Sequence, residues 1–365
     1  MVVVVRVLLR VLLLTAAVYA CLVGIAALMA PGSSEPQTVD TASAGSTLYA
    51  TSTKYLMFMQ PALRMPGRRV IVLGASNADI ELRPQVLGET VKCATIDNLS
   101  IGNENITELD ETARIALQNR RYAHASSDVY VLGVWFGLFG DSKARWNGPT
   151  RENNESDIDL EFQRYGTYKK GGDFYESRFG VAYEPLLNGL VSPFPLIEKV
   201  SRETTKRLRD FFFIRPDSRT DAEREAAVVS DADRSAAVTY WQRQLGSPDR
   251  LSPAQFDLLA KTITMLSRGG NKVIVVDLPV PNWWDAALPM NREYKDRLAA
   301  MERSFADDGA VKFVNLDRFN NSENFSDEVH AKPSIAKQIG QSVAKVINAE
   351  TCDLTRQTHL LEGHH

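Results

Sequence analysis

Arg69-Val70-Ile71-Val72-Leu73-Gly74-Ala75-Ser76-Asn77 is the stretch whose reading decides the fold. A charged start gives way to four apolar residues in a row, which reads as a strand buried on both faces inside a parallel sheet. Gly74 directly after it allows a tight turn. Ser76 then falls in the crevice beyond the strand's carboxyl end, where open α/β sheets hold ligands. A serine hydroxyl becomes a nucleophile only when a base takes its proton. The chain offers one late, in Asp327-Glu328-Val329-His330, just ahead of a last helix.

Working outward, strands alternate with helical stretches, the pattern of a parallel α/β sheet. The expected strands are Val70 to Leu73, Ala94 to Asp97, Val129 to Val134, Lys272 to Asp277 and Val311 to Leu316. Helices are expected from Ile106 to Gln118, Ser252 to Arg268, Arg292 to Ala306, and Pro333 to about Ile347. Proline is a favoured first-turn residue, which sets the start of the last one. Together these predict a three-layer α/β/α domain around a five-stranded parallel sheet.

The rhythm breaks between residues 141 and 251, far more chain than a crossover needs. This stretch carries Trp146, Tyr165, Tyr168, Phe174, Tyr175 and Phe179, then an apolar run from Tyr183 to Ile197. A charged helix is expected from about Asp221 to Leu245. We read an inserted cap or arm, either selecting substrate or only covering the sheet.

The first thirty residues stand apart. Arg6 and Arg10 precede Val11 to Ala30, a run without a charge and long enough to span a bilayer as a helix. The two arginines favour a cytoplasmic N-terminus and an extracytoplasmic body, periplasmic in a cell with an outer membrane. An uncleaved anchor is the expected form. The competing forms are a signal peptide cut after Ala27-Leu28-Met29-Ala30, or a lipoprotein at Cys21. The whole chain then divides into a membrane segment (1–31), a linker and edge segment (32–66) and the α/β domain (67–350, with 141–251 inserted). A polar tail (351–365) ends it.

At 365 residues, 44% hydrophobic and 24% charged, the chain can bury a full core. A formal charge of −3 argues against a nucleic-acid surface. Cys93 and Cys352 either pair in an oxidising compartment or stay as two unpaired thiols.

Chemistry narrows onto few residues. Of the five histidines, His359, His364 and His365 lie in the tail, and His124 follows a basic helix end whose dipole it can answer. Only His330 has a carboxylate beside it at a strand-to-helix junction. An aspartate three residues earlier can hold Nδ1 and fix the tautomer while Nε2 faces outward. Acyl chemistry also needs donors for a developing oxyanion. The backbone N–H of Ser76 is the first candidate, and the turn Ser100-Ile101-Gly102-Asn103 supplies the second. No Cys-x-x-Cys, His-Glu-x-x-His or phosphate loop occurs, and no metal or cofactor is expected. The acidic run Glu104 to Glu111 reads as a solvated helix start.

In order, Gly74-Ala75-Ser76-Asn77, Asn98 to Asn103, Gly133 after a strand, and Asp327-x-x-His330 resemble the blocks of the SGNH/GDSL hydrolase superfamily. The resemblance covers about residues 67–350 outside the insertion. It implies a flavodoxin-like sheet and serine esterase or acyl-transfer chemistry. Ser76 would be the nucleophile, His330 the base, Asp327 its partner and Gly102 an oxyanion donor. The family's third block is usually Gly-x-Asn, whereas this chain has Gly133-Val134-Trp135. Either another group replaces the missing carboxamide, with Asn103 and Asn77 as candidates, or the chain is not an efficient free hydrolase.

That departure, the anchor and the insertion resemble the O-acetyltransferases of alginate and other exopolysaccharides, and the anchored protein of teichoic acid D-alanylation. Such proteins work beside a multi-pass membrane O-acyltransferase that delivers the acyl group. The resemblance implies an acyltransferase acting on a polysaccharide. An esterase with the same machinery and a non-catalytic scaffold binding glycan or a membrane partner are the alternatives, since fold does not fix function.

Overall fold

The structure, a computed structural model, describes residues 2–29, 38–49, 51–123, 127–140, 156–172, 174–213, 220–245 and 250–352. In chain order the first half gives α1 (Val2–Met29), a 3-10 turn (Thr41–Ser46) and α2 (Ser52–Leu63). Then come β1 (Arg69–Gly74), α3 (Ser76–Glu81), α4 (Pro84–Thr90), β2 (Thr95–Asn98), α5 (Ile106–Tyr122) and β3 (Val129–Val134). The insertion holds α6 (Asp157–Arg164), β4 (Tyr168–Gly171), β5 (Phe174–Ser177), α7 (Glu184–Val191), α8 (Pro193–Phe213), α9 (Asp221–Glu225) and α10 (Asp231–Gln244). The chain then returns through α11 (Pro253–Ser267), β6 (Lys272–Asp277), α12 (Trp284–Ala287), α13 (Pro289–Ser304), β7 (Val311–Asn315) and α14 (Pro333–Thr351).

Five parallel strands pair in the order β2-β1-β3-β6-β7. This is the flavodoxin-like doubly wound order, the fold expected of an SGNH-like chain. Every residue of β1 and β3 is buried, as central strands of a parallel sheet require. On one face Ile71, Leu73, Tyr130, Leu132, Val273 and Val275 meet the apolar sides of α2, α5, α11 and α13. On the other, Val70, Val72, Val129, Val131, Ile274 and Val276 meet α3, α4 and α14. At the amino end of the sheet Arg69 and Asp97 form a buried ion pair at 2.8 Å, and Arg120 and Asp128 another.

Three expectations need correction. Residues 38–49 belong to the domain and are no linker. Val39 N donates to Asp97 Oδ1, Asn98 N donates to Val39 O, and Val39, Leu48 and Tyr49 are buried. Backbone pairing with the edge strand β2 gives this polar stretch the order its composition does not suggest. The expected tail begins inside the fold, because Thr351 is buried and Cys352 forms a disulfide with Cys93, Cα atoms 5.7 Å apart. That bond closes the alternative left open for the two thiols. The acidic run is not solvated either: Asp110 is buried, takes the Thr262 hydroxyl at 2.7 Å and pairs with Arg114.

The insertion is built differently from its sequence reading. The expected single helix from Asp221 to Leu245 is two, because Thr220 and Ser230 each cap a separate start with a capping box. The hairpin β4–β5 is new. Tyr168 and Tyr175 are buried against Phe162 and so offer no open face to a sugar. Trp146, His124, His359, His364 and His365 lie outside the described residues.

Candidate active site

The β1–α3 junction presents Ser76. Gly74 pairs with Gly133 across β1 and β3 and has φ +151°; a Cβ on it would stand 2.6 Å from Gly133 O and 2.7 Å from Ala78 Cβ. Only glycine lets the chain turn so close to its neighbour. Ser76 therefore opens α3 at the carboxyl edge of the sheet, and its N–H is among the first-turn groups that no helical carbonyl can reach.

The 326–331 turn carries the base. Asp327 Oδ1 accepts from Val329 N at 3.0 Å and from His330 N at 2.8 Å, folding the tripeptide back on its own side chain. Ser326 N donates to His330 O, and Trp284 Nε1 donates to Glu328 O, so both sides of the turn are held. Asp327 Oδ2 is then free to meet His330 Nδ1 at 2.9 Å, and His330 Nε2 lies 2.8 Å from Ser76 Oγ. The three residues form one hydrogen-bonded chain. Burial alone would raise the Asp327 carboxyl, but the bonds from the His330 ring and from the two backbone N–H groups leave it below its usual value. It stays ionised, which suits a partner for an imidazolium.

The β2–α5 loop lies alongside. Ile101 N donates to Gly74 O, and a Cβ on Gly102 would be 4.0 Å from Ser76 Cβ. Gly102 therefore borders the serine. Asn103 follows with φ +71°, a left-handed conformation that asparagine tolerates better than most residues. Asn77 is buried, and its Oδ1 accepts from Ala78 N while its Nδ2 has no partner. Thr41 Oγ1 donates to this loop at the Asn98 and Ser100 carbonyls, so the corrected 38–49 segment braces the site.

Trp135, at the third-block position, supplies no carboxamide. Its indole is 2% exposed, sits over Gly137 and meets Trp241 of α10 edge-on with centroids 4.8 Å apart. A bulky apolar ring at a strand end packs where it can be covered, and here the insertion covers it.

Two features were missed from the sequence. Asp79 stands one helical turn after Ser76, and burial, with Asp40 nearby, pushes its carboxyl up to about 7. The Ser-x-x-Asp spacing was there to be seen. Trp284 as a brace of the 326–331 turn had no such signal, being 44 positions away in sequence.

No protein-family model and no curated protein matches the chain. Among solved structures it resembles a Bacteroides fragilis protein described as a "putative acylhydrolase". The two are 12% identical over 80% of this chain and 93% of that one, with a TM-score of 0.38. Among the described residues no group of three or more His, Cys, Asp or Glu is gathered for a metal ion.

Proposed function

We propose that the protein is an extracytoplasmic, membrane-anchored serine acyltransferase that O-acylates a secreted or cell-surface polysaccharide. The observation that carries the reading is the unbroken chain Asp327–His330–Ser76 at the carboxyl edge of the sheet. His330 Nε2 takes the proton of Ser76 Oγ as the hydroxyl attacks the donor's acyl carbon. Asp327 holds the other ring nitrogen and balances the imidazolium. The N–H groups of Ser76 and Gly102 face the developing oxyanion. Collapse expels the donor's alcohol with the proton from His330 and leaves acyl-Ser76. An acceptor hydroxyl then gives its proton to His330 Nε2, attacks the ester, and returns the serine.

Three features set the chain apart from a free hydrolase. The third-block carboxamide is replaced by Trp135, and losing one oxyanion donor costs on the order of 10²–10³ in rate, with water and sugar acceptors alike. The N-terminal helix is long and apolar enough to cross a membrane, where a multi-pass O-acyltransferase would present the donor. The insertion reaches the third-block position, where Trp241 packs on Trp135. The test is the fate of an acetyl adduct on the full chain in detergent. Clearance that speeds up with added oligosaccharide, and appearance of acetylated sugar, supports transfer. Clearance at one rate regardless of sugar would make the protein an esterase.

A further inference from the structure

The surface beside α1 is apolar without interruption. Between Ala182 and Val200 every exposed residue is apolar or aromatic, the largest being Tyr183, Leu186, Leu190, Phe194, Ile197 and Val200, each 46–62% exposed. The charged residues of that stretch are paired. Glu184 is buried against Arg64, half-buried Lys199 donates to Thr47 O, and Glu198 bonds the buried Lys54 and, at the border of the face, the exposed Arg164 and Arg202. Scattered surface leucines are ordinary, but a contiguous apolar face with its charges paired marks a contact surface. After Val200 the exposed residues are mostly polar up to Leu208, with Arg202, Lys206 and Arg207 outnumbering Glu203.

The position of α1 says what covers this face. Tyr19 donates from its hydroxyl to Leu190 O, Leu22 packs on the core and Ala26 is fully buried. One side of α1 from Tyr19 to Ala26 is therefore fixed against α7 and α8. The charge-free part of α1, Val11 to Met29, measures about 28 Å at 1.5 Å per residue, close to the thickness of a bilayer's hydrocarbon. With Arg10 at the inner boundary, Tyr19 lies near mid-membrane and Ala26 in the outer leaflet. Sliding the helix until Arg6 marks the boundary puts Tyr19 in the outer leaflet and Ala26 at its outer boundary. Whatever packs on those residues shares their depth.

We infer that α7 and the first two turns of α8 are embedded in the outer leaflet, a second membrane contact whose occupant is lipid. In the first two turns of α8 the exposed apolar arc is Phe194, Ile197 and Val200, with Lys199 on the opposite side and Glu198 at the border of the arc beside Phe194, as in a helix lying in the interface with its charges at the edge. The basic residues beyond Val200 then reach the level of anionic headgroups. The body is clamped to the bilayer, where a single flexible tether would let it swing. This rests on α1 crossing the membrane, and it is independent of the chemistry at Ser76.

The test uses the full chain with Cys21→Ser, reconstituted in phosphatidylcholine–phosphatidylglycerol vesicles at low protein-to-lipid ratio. Single spin-labelled cysteines replace Leu186, Leu190, Phe194 or Ile197, with Val18 of α1 as the lipid control and Asp231 as the water control. Collisions with oxygen report lipid, and collisions with a nickel chelate report water. The four sites are expected to match Val18, with oxygen dominating. Four sites matching Asp231 would overturn the inference while leaving α1 in place. Protection from both reagents would also overturn it, in favour of a second copy of the chain or another protein on this face. Nickel access at Val18 itself would remove the anchor and the inference together.

Discussion

His330 Nε2 lies 2.8 Å from Ser76 Oγ although 254 positions separate them in the chain. The chain winds out from β1 to the edge strand β7, and the segment after β7 returns across the carboxyl edge to start α14, which packs beside α3 and α4 and so brings the 326–331 turn to Ser76. The serine is aimed by a glycine that cannot be replaced. The histidine is aimed by its own neighbour, Asp327.

Asp327→Asn should keep the turn and lose the chemistry. The amide oxygen still accepts the Val329 and His330 N–H groups, but an amide nitrogen facing Nδ1 enforces the wrong tautomer. Stopped-flow acylation by p-nitrophenyl acetate should slow by about 10³–10⁴, with circular dichroism unchanged.

Asp79 gives a pH signature of opposite sign to Asp327. Its carboxyl is raised from 3.8 to about 7, so the folded chain holds a proton that the unfolded chain releases. Stability from that difference is present at low pH and lost as pH rises from about 4 to about 7. Asp79→Asn should therefore raise Tm by several degrees at pH 8 and change little at pH 4. Asp327, whose carboxyl is lowered, contributes stability above the unfolded value that is lost as pH falls. Equal gains at both pH values would mean Asp79 is not held protonated.

Cys93–Cys352 joins the loop before β2 to the end of α14 across 259 positions. A closure that long removes much unfolded-state freedom, so reduction or Cys352→Ser should cost about 2–5 kcal/mol in chemical denaturation. The bond also fits a body folded in an oxidising compartment.

Gly74→Ala should damage fold and site together. The new methyl would stand 2.6 Å from a backbone carbonyl and 2.7 Å from Ala78 Cβ, neither of which can swing aside. We expect a loss of about 2 kcal/mol or more and acylation reduced beyond what Ser76 tolerates in reach. Gly67→Ala, with open space around it but φ +101°, is the control for backbone strain alone.

Much of this was legible in the sequence. Buried β-branched runs at Val70, Val129 and Lys272 fixed a parallel sheet, and the scarcity of histidine singled out His330. What the sequence did not carry was pairing that composition hides. Residues 38–49 look like a linker, yet Val39 and Asn98 exchange main-chain contacts that need no particular side chain. The burial of Tyr168 and Tyr175 depends on Phe162 of α6 packing on a hairpin with no alternation strong enough to announce it. Trp135 was seen as a departure from a pattern; that its ring meets Trp241 of the insertion follows only from tertiary packing.

The most direct test of the central claim is intact mass of the full chain in detergent after p-nitrophenyl acetate, with Ser76→Ala and His330→Ala alongside. A single acetyl adduct is expected on the native chain, mapped to the peptide containing Ser76. No adduct is expected with Ser76→Ala and a greatly slowed one with His330→Ala. A folded native chain that gains no adduct, or an adduct that survives Ser76→Ala, would contradict the claim and leave the Asp327–His330–Ser76 chain as structure without acyl chemistry.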